Sequence, residues 1–238
     1  MTVFALARHN VRITLREPGP ALSRIISPVV LMALLQPLYR AALPGQDGPA
    51  RATLLALIML STLSLSVVAN GLLNERIWHT LERLRTTPLR GAALVAGKCA
   101  TPLAILLIQQ VAVFGTAMVA FGVRPRSPAL LALFSLTWIT TVLCLGAALA
   151  SVLRTNSAVS AVTDIGTLAS TALSGALVPL AELPVAIRTI APFSPGYWAV
   201  RGFDGTLHGA VGPTLTSAAV LAALALAAAT FAARRLMR

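Results

Sequence analysis

Residues 74–91 read NERIWHTLERLRTTPLRG and lie between two segments so apolar that both are expected to cross a membrane. The sixteen positions from Glu75 to Arg90 carry six charged side chains, although charge is scarce elsewhere: Glu75, Arg76, Glu82, Arg83, Arg85 and Arg90. Burying six charges at the centre of a bilayer would cost on the order of 15–20 kcal/mol. This segment therefore lies outside the hydrocarbon and joins two membrane spans.

The same segment is patterned like a helix. Apolar residues recur at spacings of four, four and three, which places one face of a helix along Leu73, Ile77, Leu81 and Leu84. Thr87 followed by Pro88 has the form of an N-cap and a first helical residue, so a new helix begins there. The pattern predicts a short amphipathic helix under the membrane, a break, and a return into the next span. A plain interfacial connector fits this pattern equally well.

Composition places the whole chain in a membrane. Of its 238 residues, 57% are hydrophobic and 11% are charged, with a mean hydropathy of +0.82. A soluble domain has roughly 45–50% apolar and about 25% charged residues. The formal charge of +12 belongs to basic residues at the ends of spans. Anchoring and orientation explain such a distribution, so no nucleic-acid partner is expected.

The chain is long enough for one all-α membrane domain, residues 1–238, and too short for an additional folded enzyme domain. About 20 apolar residues are needed for each crossing. Six spans meet that length, at 25–43, 53–73, 94–123, 129–153, 158–180 and 213–233. The segment 74–91 connects the second span to the third, and the segment 181–212 connects the fifth to the sixth.

Basic residues orient the spans. The side that holds both termini carries 13 of the 19, namely Arg8, Arg12, Arg16, Arg24, Arg76, Arg83, Arg85, Arg90, Lys98, Arg154, Arg234, Arg235 and Arg238. The positive-inside rule therefore predicts both termini, and the segment 74–91, in the cytoplasm. An Ala- and Arg-rich composition favours a bacterial source, so we expect a multi-pass protein of the bacterial plasma membrane.

The segment 181–212 is too long for a tight turn and too broken for a span. It contains three prolines and an aromatic cluster, at Pro184, Pro192, Pro195, Phe193, Tyr197 and Trp198. Aromatic residues favour the headgroup zone of a membrane. We expect two short re-entrant or interfacial helices on the outer face, with an ordinary loop anchored by its aromatic residues as the alternative.

Asp164 is the one acidic residue inside a predicted span. It belongs to a polar stripe with spacings of four, three, four and three, formed by Ser160, Asp164, Thr167, Thr171 and Ser174. Intramembrane ionisable residues are expensive, and by default they mark function. The stripe is predicted to line either a substrate path or a tight helix interface in which Asp164 is the partner of Thr167 and Thr171. A weaker polar band in span two, Ser61, Ser64 and Asn70, is predicted to serve packing.

Three segments together resemble a known family. ERIWHTLERLRTTPLRGAALVAGK, residues 75–98, resembles the cytoplasmic loop after span two of ABC-2-type transporter permeases. The matching positions are Glu75, Arg76, Thr80, Leu81, Glu82, Leu84, Thr87, Pro88, Leu89, Gly97 and Lys98. RHNVRITLREPGPALSRIISPVVLMALL, residues 8–35, resembles the N-terminal interfacial helix of the family and its first span. LPVAIRTIAPFSPGYWAVRGF, residues 183–203, resembles its external segment before span six.

The resemblance implies a mechanism. Family members pair two six-helix halves, as a homodimer or a heterodimer, with two ATPase subunits on which the loop after span two docks as a coupling helix. The residues expected to couple to the ATPase are Glu75, Arg76, Glu82, Arg83, Arg85, Thr87 and Pro88. This chain has no G-x-x-x-x-G-K-[ST] loop, so ATP and its Mg²⁺ would be bound by a separate P-loop ATPase subunit. The chain is most similar to the drug-export subgroup. Spans lined mostly by Leu, Ala, Val, Ser and Thr favour an amphipathic cargo, such as a drug-like molecule, a peptide or a lipid, exported rather than imported.

Two other classes of function compete with this interpretation. An ion-coupled secondary transporter would use Asp164 as its proton or sodium site, but no basic partner and no repeat pair accompany it. An intramembrane enzyme would need a nucleophile beside a base, or a metal cluster. No predicted span holds a histidine, and neither constellation is found, so no catalytic site is expected in this chain.

Overall fold

The computed structural model describes residues 16, 18–43, 47–77 and 91–236, with the backbone alone given for 75–77, 91–99 and 236. Within these ranges the chain forms nine α-helices and no strand. They are α1 Gly19–Ala42, α2 Asp47–Leu63, α3 Leu65–Ile77, α4 Gly91–Phe121, α5 Pro128–Val152, α6 Asn156–Leu173, α7 Val185–Ile190, α8 Pro195–His208 and α9 Val211–Leu236. The predicted N-terminal interfacial helix lies outside the described residues, apart from Arg16 and Pro18.

The described helices include five stretches that are long and apolar enough to cross a membrane. They are Gly19–Ala42, Asp47–Asn74, Ala100–Phe121, Pro128–Val152 and Val211–Arg235. These helices confirm the predicted all-α membrane class. The predicted fifth span is the helix α6, about 27 Å long at 1.5 Å per residue. It is not among the five because six hydroxyl side chains, Asn156 and Asp164 lower its hydropathy. A sixth crossing therefore stays a prediction.

The second predicted span is one membrane-length stretch made of two helices. A turn at Ser64 separates α2 from α3. There the backbone N–H of Ser64 donates to the Ser61 carbonyl, and the N–H of Val67 donates to the Ser64 carbonyl, both at 3.1 Å. Both bonds link residues three apart, as in a 3₁₀ turn rather than an α-helix. No Gly or Pro stands at this break, so neither of the residues that most often interrupt a helix predicts it.

The helices α2 and α3 form the centre of the bundle. Between them they contact α1, α4, α5, α6 and α8. On one side α5 packs along α9, and the Thr141 hydroxyl of α5 donates to the Leu221 carbonyl of α9 at 3.2 Å. The α5 residue Phe134 meets Phe203 of α8 edge to face, with ring centroids 4.7 Å apart. Such pairs stabilise a fold beyond the area they bury.

The helix α6 ends at Leu173, seven residues before the predicted end of span five at Leu180. The cause is Gly175, whose φ of +77° is left-handed and is unfavourable for residues with a side chain. After this turn come a short 3₁₀ helix, the helix α7, a second 3₁₀ helix and the helix α8. The segment 181–212 therefore contains two helices, α7 and α8. The longer of them, α8, is N-capped by Ser194, whose hydroxyl accepts from the Gly196 N–H at 3.2 Å.

Candidate functional site

The predicted coupling residues fall largely outside the described part of the chain. Glu75 and Arg76 belong to the last turn of α3, where only the backbone is described. Glu82, Arg83, Arg85, Thr87 and Pro88 lie in 78–90, outside the described residues. The helices on either side of this gap, α3 and α4, pack against each other.

The polar stripe of α6 lies along the edge of that helix's buried face. Thr167, Thr171 and Ser174 are buried, whereas Ser160 and Asp164 are exposed on the surface of the single chain. The buried face itself runs through Val159, Thr163, Thr167 and Ser170. The stripe is thus buried toward the end of α6 at Leu173 and exposed toward its start.

The predicted partnership of Asp164 with two threonines is not found within the chain. The hydroxyls of Thr167 and Thr171 are buried and have no hydrogen-bond partner. Ser174 does have partners, because its hydroxyl donates to the Thr171 carbonyl at 2.7 Å and accepts from the Ala176 N–H at 3.1 Å. Asp164 is exposed on the single chain, whereas both threonines are buried.

Beside Asp164 lie large apolar side chains that are also exposed. Ile165 is 69% exposed and Leu168 is 64% exposed. A carboxyl group among such side chains is poorly matched to hydrocarbon. The same surface is thus too apolar for bulk water and too polar for lipid. A face of this kind is typical of a contact with another protein helix or of a solvated path.

The end of α6 near Leu173 is held by contacts from three other helices. The Tyr39 hydroxyl of α1 contacts the carbonyls of Ala176 and Leu177 at 3.1 and 3.0 Å, and Arg51 of α2 donates to the Gly175 carbonyl. The Gly196 N–H at the start of α8 donates to the Ser170 hydroxyl at 3.2 Å. The turn after α6 is therefore tied to α1 and α2, while its last buried turn is tied to α8.

Two of the three residues in the weaker polar band of span two, Ser61 and Ser64, contact neighbouring helices, whereas the buried Asn70 Oδ1 has no hydrogen-bond partner in the described chain. Ser61 accepts from the Trp138 indole at 2.8 Å, and Ser64 accepts from the Arg24 guanidinium at 3.2 Å. Arg24 lies in α1, so this bond brings a basic side chain to the break between α2 and α3. From the sequence, Arg24 was expected only to help orient the first span. The sequence of one helix does not show which side chain of another helix will donate to its serines.

Two buried amides of α4 were also missed. Gln109 and Gln110 are 0% and 3% exposed, and none of their side-chain nitrogen or oxygen atoms has a hydrogen-bond partner. Two adjacent glutamines in an otherwise apolar span are a signal that the sequence does contain. In the described part of the chain no group of three or more His, Cys, Asp and Glu side chains could hold a metal ion.

One comparison with known proteins identifies a relationship over most of the chain. The model of a protein family described as ABC-2 type transporter matches residues 1–208. The match includes the segment 74–91, the helix α6 and all but the last helix of the bundle. No curated protein matches the chain significantly.

Proposed function

The chain belongs to the ABC-2 type transporter family, and from that membership we propose that it exports an amphipathic molecule. Family membership and the apolar helices make it a multi-pass membrane protein and the permease component of an ABC transporter. Such permeases generally work with an ABC ATPase. The finer parts of the proposal are the outward direction and the cargo, a drug-like molecule, a peptide or a lipid.

The exposed face of α6 supports a path between two permease chains. Asp164 and Ser160 are polar and exposed on a helix about as long as a bilayer is thick, next to the exposed apolar residues Ile165 and Leu168. A second permease chain packed on this face would shield the carboxylate from lipid and match the apolar residues. A path along the contact between the two chains would present both polar and apolar side chains to an amphipathic molecule. The second chain is a further copy of this one or a related permease.

The segment 74–91 is proposed to receive the movement of the ATPase. Its support is the family motif together with its position between α3 and α4, which pack on each other at one end of the bundle. In α3 the residues Leu72 and Leu73 are buried in the core, so a displacement of the segment is passed to packed helices. Glu82, Arg83 and Arg85 would contact the ATPase. ATP and Mg²⁺ would be bound by that subunit.

The proposed location is the bacterial plasma membrane with both termini in the cytoplasm. It is supported by the 13 of 19 basic residues on the side of the termini. This orientation also brings the segment 74–91 to the side on which ATP is available.

The experiment is reconstitution of the chain into liposomes with its partner ATPase. We expect no ATP hydrolysis by the chain alone and hydrolysis coupled to export by the pair. A triple variant, Glu82→Lys, Arg83→Glu and Arg85→Glu, should lose ATPase association or export while the membrane domain stays folded. Its matched control is Arg124→Glu with Arg126→Glu, which reverses charge at the opposite end. Unchanged association and export in the triple variant would reduce the segment to a connector.

An ion-coupled transporter that uses Asp164 is the competing function. In the described part of the chain no basic side chain pairs with Asp164. Transport driven by an ion gradient, with the ATPase inactivated or absent, would favour this alternative over the ABC mechanism.

A further inference from the structure

A groove of about 490 Å³ separates α5 from α6. The two helices follow one another in the chain, yet they hardly touch. Trp138 of α5 and Thr62 of α2 lie among the groove's lining residues. Phe193 lies at the end where α6 finishes, and Phe231 of α9 lies at the end where α5 finishes. The groove thus extends along much of the membrane-spanning length of α5.

The lining of the groove is apolar, and its few polar groups are engaged inside the protein. Thr62 and Thr163 donate to carbonyls of their own helices, at 2.6 and 2.7 Å. The Trp138 indole donates to Ser61, while Ser170 and Ser194 share a hydrogen bond. No lining residue is charged. An occupant of the groove therefore finds hydrocarbon contacts along its length, as an acyl chain requires.

The end of the groove near Phe231 is positively charged. Arg154 lies in the turn that joins α5 to α6, two residues after the lining residue Val152. The guanidinium carbon of Arg235 lies 5.9 Å from the ring centroid of Phe231. Both arginines are exposed, and in the described ranges neither has a carboxylate within ion-pair distance. The positive end of the α6 dipole, at Asn156, lies in the same place.

We propose that the groove holds one chain of an anionic phospholipid whose phosphate lies between Arg154 and Arg235. Charge complementarity selects this occupant, because two unpaired cations and a helix N-terminus stand at one end of an uncharged apolar groove. Basic pockets between membrane helices are suited to anionic headgroups. The lipid comes from the leaflet on the side of the termini. It is a resident component of the bundle rather than cargo, so the inference does not depend on the proposed direction of transport.

The test uses Trp138 as the reporter, because it lines the groove and is only 1% exposed. The full chain, with Trp78→Phe and Trp198→Phe, is placed in phosphatidylcholine nanodiscs that contain a minor fraction of lipid with brominated chains. We expect brominated phosphatidylglycerol to quench Trp138 more strongly than brominated phosphatidylcholine at the same fraction. Arg154→Gln and Arg235→Gln should each weaken the apparent affinity for phosphatidylglycerol about five-fold.

The groove is blocked independently of the headgroup by Gly166→Phe. A Cβ at Gly166, which lines the groove, meets no atom within 4 Å, so the ring has space to enter. This variant should abolish the quenching, whereas Gly115→Phe, at an equally open position of α4 away from the groove, should not. If Gly166→Phe lowers the yield of folded protein, the phosphatidylglycerol affinities of Arg154→Gln and Arg235→Gln test the proposal instead.

Three results would overturn the proposal. The first is equal quenching by the two lipids together with unchanged affinity in both arginine variants. The second is full quenching in folded Gly166→Phe. The third is protection of Trp138 from both lipids in dimers but not in monomers, which would show that a second copy of the chain fills the groove.

Discussion

The indole nitrogen of Trp138 donates a 2.8 Å hydrogen bond to the hydroxyl oxygen of Ser61, and the two side chains are 1% and 0% exposed. The same hydroxyl donates to the Ile58 carbonyl of its own helix at 3.2 Å. A polar contact in the centre of the bundle thus fixes α5 against α2. It also satisfies the one polar atom that a tryptophan brings into a core.

Ser61→Ala should destabilise the folded chain, because it leaves the Trp138 indole N–H buried without an acceptor. Interhelical hydrogen bonds in membranes contribute about 0.6–2 kcal/mol, so a moderate loss is expected. The measurement is thermal unfolding of the detergent-solubilised protein. Ser66→Ala is the control, since Ser66 bonds only to the Leu63 carbonyl of the preceding turn. Equal melting temperatures for the two variants would show that the Trp138 contact contributes nothing.

Gly196→Ala should lower the yield of folded protein. A Cβ at this position would lie 2.6 Å from the Ser170 carbonyl oxygen and 2.5 Å from its hydroxyl oxygen, so the start of α8 would have to move off α6. Overpacking of this kind costs roughly 1–3 kcal/mol. Gly212→Ala is the matched control because its Cβ meets no atom within 4 Å. Size-exclusion profiles of the two variants decide the prediction, and a normal profile for Gly196→Ala would contradict it.

Tyr39→Phe and Arg51→Met should each loosen the turn at residues 175–177. Each removes a donor to carbonyls of that turn, at a cost of about 1 kcal/mol or somewhat more. The two losses should not add, because both donors hold the same turn. Thermal unfolding of the single and double variants measures the coupling. Tyr197→Phe is the control, since the Tyr197 hydroxyl contacts only the exposed Arg201. Strict additivity would show that the two donors act independently.

Asp164→Asn and Asp164→Leu should separate the possible roles of this residue. If a second chain covers α6, Asn keeps the polar contact and preserves dimers and export, whereas Leu weakens both partially. Neither change should affect folding of the single chain, because Asp164 is exposed there. The measurements are cross-linking of dimers and export in liposomes. Ile165→Leu is the neighbouring control. Loss of transport in Asp164→Asn with dimers intact would instead favour an ion-binding role.

The membrane class and the family could be predicted from the sequence because both rest on local signals. Class follows from hydropathy, and the family follows from a motif in 74–91 that depends on residue order alone. The residue at which α6 ends was harder to predict. Gly175 is one of several small residues in an apolar stretch, and only the fold shows its positive φ. The break at Ser64 was not predicted because it has neither Gly nor Pro, and its contact with Arg24 of another helix is visible only in the fold.

The α6 stripe shows the limit of helical periodicity. Spacing placed its five residues on one side of the helix but did not determine where neighbouring helices end. Thr167, Thr171 and Ser174 are buried, whereas Ser160 and Asp164 are exposed on the single chain. In the described chain the Thr167 and Thr171 hydroxyls have no hydrogen-bond partner, and the two predicted roles of the stripe, a substrate path or a helix interface, stay predictions. The coupling residues 82–88 lie outside the described residues, and their role stays a prediction.

The turn at Ser64 also has a mechanical consequence. An unbroken helix from Asp47 to Ile77 would behave as a single rigid rod, so a push at one end would tilt the other. The 3₁₀ turn at Ser64 interrupts this rod, and the Arg24 guanidinium of α1 contacts the chain there. If the segment 74–91 moves with an ATPase as proposed, the part of that movement that reaches α2 would therefore depend on a residue of α1.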